Sequence, residues 1–238
     1  MKAKIKIFKN TGEIADEFAN TLKTLAKAAN GKAVHIALSG GSTPKIIFQY
    51  LKEKFGKELA NPQFHFWWGD DRCVPPTDDE SNYKWANELW LKEIEIPLTN
   101  IHRVLGENDP ESEAIRYAQE IEKHLPFENN LPTFDFMLLG LGEDGHTASI
   151  FPNQMELLSS KNTCEVAFHP NTGQKRITLT GPVINNSKFI VFLAIGENKA
   201  SKVKEILLDQ QEDLPASHIQ SNTGELIWWL DKNSAQNM

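Results

Sequence analysis

The chain has 238 residues, 40% hydrophobic and 24% charged, a balance that excludes disorder and fibrous repeats and is large enough for one full enzyme core. Its 25 basic and 32 acidic side chains leave a net charge of -7, so the chain as a whole repels nucleic acid and anionic lipid, and an anionic ligand needs a local basic pocket. The two cysteines form no CxxC pair, the seven histidines no HExxH or HxH pair, and no apolar run reaches membrane length, which argues against a disulfide framework, a built-in metal site and a membrane anchor and suits a cytoplasmic protein.

Lys4 to Phe8 reads as a short strand, and Glu13 to Ala29 as a helix with Ile14, Phe18, Leu22 and Leu25 on one face and a stop at Gly31. Ala33 to Leu38 is a second apolar run. It passes through Ser39-Gly40-Gly41-Ser42-Thr43-Pro44 into a helical pattern at Lys45 to Phe55, where a Ser or Thr cap before Pro marks the start. Phe64 to Trp68 is a third strand and ends in Gly69-Asp70-Asp71-Arg72; Cys73 to Glu80 is loop-like. Helices are expected at Asn82 to Glu93 and Glu111 to Leu125. Phe134 to Leu139 is an apolar strand that empties into Gly140-Leu141-Gly142-Glu143-Asp144-Gly145-His146. Arg176 to Thr180, Phe189 to Ile195 and Leu226 to Leu230 complete the strands, with a helix at Ala200 to Leu208. Continuous apolar strands separated by amphipathic helices, with no repeat or linker, predict one α/β domain over residues 1–238. Its mostly parallel sheet is covered on both faces, and ligands sit at the carboxyl ends of the strands. One member of each tryptophan pair, Trp67-Trp68 and Trp228-Trp229, is expected in the core.

Polar groups gather where strands end. The Ser39 to Pro44 loop, with Gly40, Gly41, Ser42 and Thr43, suits either an ordinary tight turn or a phosphate cradle at a helix N-terminus; its spacing is not that of a P-loop. Asp70 and Arg72 stand at a strand end where a guanidinium could fork onto phosphate and a carboxylate could bind sugar hydroxyls or handle a proton, with Ser81 and Asn82 beyond them. Asp71, Asp79 and Glu80 read as a local ion pair and solvated loop charges, and Cys73 as a small buried filler.

Gly140 to Gly145 fits GxGxxG, yet Pro152 limits any following helix and Glu165 is badly placed for a ribose contact, so a dinucleotide site is disfavoured. The glycines instead expose Asp144 and His146. An imidazole on such a loop can take a proton from water attacking a carbonyl, an effect worth roughly a hundred- to ten-thousand-fold. Lys199 begins a helix, a poor place for a cation unless an anion is near, while Arg176 suits either a ligand contact or a structural ion pair.

Together these residues resemble the 6-phosphogluconolactonase family. The similarity runs through Ser39 to Pro44, Asp70-Asp71-Arg72-Cys73-Val74-Pro75, Ser81-Asn82, GLGEDGHTASIFP at Gly140 to Pro152, RITLT at Arg176 to Thr180, Asn198-Lys199-Ala200 and Leu214-Pro215-Ala216. The resemblance implies a single three-layer α/β/α domain, the fold shared with glucosamine-6-phosphate deaminases and ribose-5-phosphate isomerases. It also implies hydrolysis of 6-phospho-D-glucono-1,5-lactone, in the oxidative pentose phosphate pathway, by a monomer or small homo-oligomer without cofactor or metal. His146 matches the family's general base, Arg72 and Lys199 its phosphate ligands, and Asp144 the acidic neighbour of the histidine. The family usually has Asp-Glu-Arg where this chain has Asp70-Asp71-Arg72.

Two other readings compete. A deaminase of the glucosamine-6-phosphate type would carry an acidic residue where this chain has Phe151 and Tyr where it has Arg72. Without that carboxylate His146 reads as a solitary base, although either Asp70 or Asp144 could orient it. A phosphosugar sensor would carry a basic DNA-binding segment, which is missing.

Overall fold

The computed structural model describes residues 3–222 and 224–238. The elements run β1 (Lys4–Phe8), α1 (Thr11–Ala29), β2 (Val34–Leu38), α2 (Ser42–Phe55), β3 (Phe64–Trp68), β4 (Asp70–Arg72), α3 (Asn82–Leu89) and α4 (Pro110–His124). They continue with β5 (Phe127–Glu128), β6 (Leu131–Pro132), β7 (Phe136–Gly140), β8 (Cys164–Phe168), β9 (Lys175–Leu179), α5 (Gly181–Asn185), β10 (Phe189–Ala194), α6 (Ala200–Leu207) and β11 (Glu225–Asp231). Local chemistry sets the helix ends. The Asn10 side chain accepts from Glu13 N to start α1, and Asn30 closes it at φ 49. Asp109 caps α4 by accepting from Ser112 N.

Two expected helix boundaries differ. No Ser or Thr caps α2: Gly41, at φ 100, is its N-cap and makes no side-chain hydrogen bond, so Ser42 and Thr43 fall inside the first turn. The helix expected to reach Glu93 stops at Leu89, because Trp90 leaves helical geometry at φ -149 and stacks on Phe48 in the core, with ring centroids 5.7 Å apart.

The main sheet has the strand order β1-β11-β10-β7-β2-β3, and every neighbouring pair is parallel. On one face lie α1, α2 and α3, through Phe18, Phe48 and Ala86; on the other lie α4, α5 and α6, through Tyr117, Ile184 and Val203. Because both faces are covered, both members of each tryptophan pair are core. Trp67 and Trp228 point into one layer, Trp68 and Trp229 into the other, all at most 1% exposed. The run Arg176 to Thr180 does not join this sheet. It is β9 of a small antiparallel sheet, β4-β9-β8, since the six residues between β8 and β9 permit a hairpin and are too few for a parallel crossover.

This topology fixes the site. The strands β10, β7, β2 and β3 are neighbours running one way, so the loops after them emerge side by side along one sheet edge. The chain peels off after β3 at Gly69, whose N–H donates to Leu38 O, and enters β4, which stands the small sheet against the same edge.

Histidines cluster at the opposite edge, near the starts of β2 and β3: His35 and His65 adjoin His102 and His124 around Trp67. Burial, and then the charge of His65, push the His35 pKa down from 6.5 to about 4, against a pull upward from Asp135. The unfolded chain takes up this proton near 6.5 and the folded chain only near 4. His35 therefore lowers stability as pH falls across that window, by up to about 1.4 kcal/mol per pH unit. Urea unfolding midpoints at about pH 7.5 and about pH 5 should show the decline, and His35→Gln should shrink it. An equally steep decline in the variant would remove His35 as the cause.

Candidate active site

The loops after β2, β3, β7 and β10 and the hairpin β8-β9 enclose a cavity of about 490 Å³. It is lined by Gly40, Gly41, Asp70, Arg72, Asn82, Asp144, His146, Arg176 and Lys199 among others. Nine of the twelve residues singled out from the sequence thus meet in one place. The side chains of Ser42, Thr43 and Ser81 do not line it: the first two belong to the opening turn of α2, and Ser81 is the buried N-cap of α3, accepting from Lys84 N at 3.2 Å.

The loop after β7 is wound by its own hydrogen bonds. Gly142 N donates to His146 O at 2.8 Å, and Gly145, at φ 81, donates its N–H to Gly142 O at 3.2 Å. Asp144 Oδ1 accepts from His146 N at 3.1 Å and lies 2.6 Å from His146 Nδ1. The imidazole is not solitary, and of the two candidate carboxylates Asp144 is the one that orients it. Burial acts to raise the Asp144 pKa, but the hydrogen bond and charge of His146 outweigh it and bring the carboxyl down to about 2. A carboxylate held ionised fixes the proton on Nδ1 and leaves Nε2 as the nitrogen with the free lone pair.

Packing completes the arrangement. A Cβ on Gly142 would lie 2.1 Å from His146 Nδ1, so glycine is what admits the ring. Phe151, fully buried, sits 4.7 Å from it, ring centre to ring centre. Ala148, at the cavity wall, adopts the left-handed φ of 47, rare for a residue with a side chain.

The second part of the cavity is cationic. Register sets Arg72 of β4 directly opposite Arg176 of β9, a like-charge pairing that is unfavourable unless an anion lies between. Arg72 donates one N–H to Glu80 O, and Arg176 reaches Ser149 Oγ only at 3.5 Å; the Nε of each is buried without a partner among the described residues. Burial lowers the Arg176 pKa and Asp70 acts in the opposite direction. Asp70 itself is 5% exposed and accepts from Ser149 Oγ at 2.7 Å. Lys199 adds a third cation with no ion-pair partner among the described residues, and the uncapped N-terminus of α2 adds its positive dipole end.

Asp71 forms no ion pair with Arg72. It is 2% exposed and accepts the backbone N–H groups of Arg72, Asn82 and Tyr83, a buried tie between β4 and the first turn of α3; burial pushes its pKa up to about 6 despite those bonds. Asp79 pairs with Lys84. Asn82 Nδ2 donates to Asp70 O, and the Asn82 side chain fills the space a Cβ on Gly40 would need, 1.7 Å away. Burial raises the Cys73 thiol to about 11, which suits a filler. The cavity also contains Ser39, Glu143, His169 and Asn171, which sequence reasoning did not single out.

The family model describing glucosamine-6-phosphate isomerases/6-phosphogluconolactonase matches residues 9–228. A 6-phosphogluconolactonase of Haemophilus influenzae is 45% identical over 202 residues, 84% of this chain and 85% of that protein. One of Treponema pallidum is 44% identical over 76% of this chain and 75% of its own. Among solved structures, devB protein superposes with a TM-score of 0.93 at 42% identity over 99% of both chains. A monomeric glucosamine-6-phosphate deaminase of the NagB superfamily, at 20% identity and a TM-score of 0.81 over 99% of this chain and 100% of its own, shares the fold.

The two unpartnered guanidinium nitrogens predict an anion site. Titration calorimetry with inorganic phosphate should detect binding that Arg72→Gln and Arg176→Gln each weaken about tenfold or more, the scale of a hydrogen bond to a charged group. Equal affinity in wild type and both variants would refute the assignment.

Proposed function

The chain belongs to the glucosamine-6-phosphate isomerase/6-phosphogluconolactonase family, and on that footing we propose that it hydrolyses 6-phospho-D-glucono-1,5-lactone to 6-phospho-D-gluconate as one catalytic domain over residues 1–238. The observation that carries this reading is the pairing of His146 Nδ1 with Asp144, which leaves Nε2 as the basic nitrogen in a cavity whose other part holds Arg72, Arg176 and Lys199.

His146 Nε2 takes a proton from a water molecule as its oxygen attacks C1 of the lactone. Asp144, ionised, steadies the imidazolium that forms. The carbonyl oxygen becomes an oxyanion. Gly142 and Gly145 already give their N–H groups to His146 and Gly142 carbonyls, so the open first turn of α2 is the better source of donors. Collapse of the tetrahedral intermediate breaks the bond from C1 to the ring oxygen, which receives the proton back from His146. The product is an open-chain acid that ionises to 6-phosphogluconate. Arg72, Arg176 and Lys199 hold the phosphate and so place C1 against the water, an effect of positioning rather than of bond making.

A deaminase-type relay has less support. Phe151 is a buried aromatic ring against His146 and offers no carboxylate for ring opening. The six-membered lactone also asks little of the site, since one base and a few oriented donors suffice for an ester already strained toward attack.

Acid release from 6-phosphogluconolactone, followed by pH-stat above the spontaneous rate, should fall about a thousandfold in His146→Ala and about ten- to a hundredfold in Asp144→Asn. Gly142→Ala, which displaces the ring, should lower kcat comparably to the aspartate variant while leaving Tm within a few degrees. Unchanged turnover in His146→Ala would sink the mechanism, and ammonia release from glucosamine 6-phosphate would overturn the substrate.

A further inference from the structure

The turn between β8 and β9 places a second imidazole on the cavity, that of His169. The turn is well anchored. His169 N donates to Gln174 O and Gly173 N to His169 O, each at 2.9 Å, and Gln174 Nε2 donates to Glu80 at 2.7 Å, tying the turn to the segment before α3. Within it, the backbone N–H groups of Asn171 and Thr172 both point at His169 Nδ1, each 3.3 Å away. The ring meets Phe151 edge-on, with centroids 5.4 Å apart; the same Phe151 contacts His146 at 4.7 Å and the Arg176 guanidinium at 5.5 Å.

The two histidines that share Phe151 therefore have opposite partners. A carboxylate faces Nδ1 of His146 and calls for a proton there, whereas two N–H donors face Nδ1 of His169 and call for a lone pair. His169 must carry its proton on Nε2, and charging the ring would set a third N–H against the two backbone donors. Burial, then the charges of Arg176 and His146, lower its pKa in the same sense. Nε2 has no acceptor among the described residues. Arg176, the second residue of β9 after the turn, exerts the largest charge effect on His169 and itself has an Nε without a partner among the described residues.

We infer that His169 is an uncharged hydrogen-bond donor to the phosphate of the ligand, acting through Nε2–H beside Arg72 and Arg176. The inference rests on the phosphosugar-lactone reading of this cavity and adds to it a specificity residue: a donor of fixed polarity that recognises an acceptor oxygen without adding charge.

His169→Phe keeps the ring against Phe151 and removes the donor; His169→Gln restores an N–H on a side chain of similar reach. The expected result for His169→Phe is about a tenfold rise in KM for 6-phosphogluconolactone and in Kd for inorganic phosphate, with kcat within about threefold. The preference for that substrate over unphosphorylated glucono-1,5-lactone, as a ratio of kcat/KM, should fall by the same factor, and His169→Gln should recover most of it. Wild-type KM and Kd in His169→Phe would overturn the inference, as would equal losses on both lactones. A wild-type protein without lactonase activity would defeat the functional reading, and phosphate calorimetry on the same variants would still decide for or against the donor.

Discussion

The cavity depends on four neighbouring strands, β10, β7, β2 and β3, that run in one direction. Parallel pairing sends each chain back across a face of the sheet before the next strand, so every strand leaves the sheet at the same edge. The loops carrying Lys199, Asp144 with His146, Gly40 with Gly41, and Asp70 are thereby set side by side without being close in sequence. The short antiparallel sheet closes the arrangement. Its register, more than any single contact, is what brings Arg176 across from Arg72. A slip of one residue in β9 would send the Arg176 guanidinium to the other side of the pleat, away from Arg72.

Charge is handled locally within a chain of net charge -7. Most surface lysines are paired with carboxylates, as in Lys23 with Glu58 and Lys52 with Glu93, and contribute little to stability at such exposure. Arg72, Arg176 and Lys199 have no such pairing among the described residues, and each lines the cavity. Carboxylates near them are kept occupied: Asp70 by Ser149, Asp71 by backbone N–H groups, Asp144 by His146. The cavity thus gathers those cations in one part and the His146–Asp144 pair in the other. This is the division of labour that a phosphorylated ester calls for, with one end to be held and the other to be attacked.

What was legible in the sequence follows from what is local. The inner strands of the main sheet stand out as apolar runs because they are buried on both faces, and the loop residues stand out because glycines and charges follow those runs abruptly. Residues 176–180 read equally well as a strand, but nothing in a five-residue alternating segment tells which sheet it joins. The cap of α2 was misplaced because Gly41 supplies by backbone conformation what Ser42 could have supplied by a side chain. Asp71 looked like a partner for Arg72 because they are adjacent; only the fold shows that α3 returns the N–H groups of Asn82 and Tyr83 to cover its carboxylate. His169 had no signal of its own, since it stands after a short amphipathic strand among exposed residues, and its orientation is set by N–H groups that appear only once the turn is closed. The sequence did mark His146, because Gly142, which its ring requires, is visible as a letter.

Ala148 carries the consequence of that tight winding. Its left-handed backbone would be relaxed by glycine, the residue such a φ ordinarily selects, and yet a methyl group stands there. Alanine has fewer conformations to lose on folding, so the loop exchanges a little local strain for a narrower range of motion. Ala148 stands between Asp144, which meets the ring from one side, and Ser149, which reaches across to Asp70 of the small sheet. The His146 ring thus takes its place beside the guanidiniums through contacts made within the fold itself, with no ligand needed to set it there.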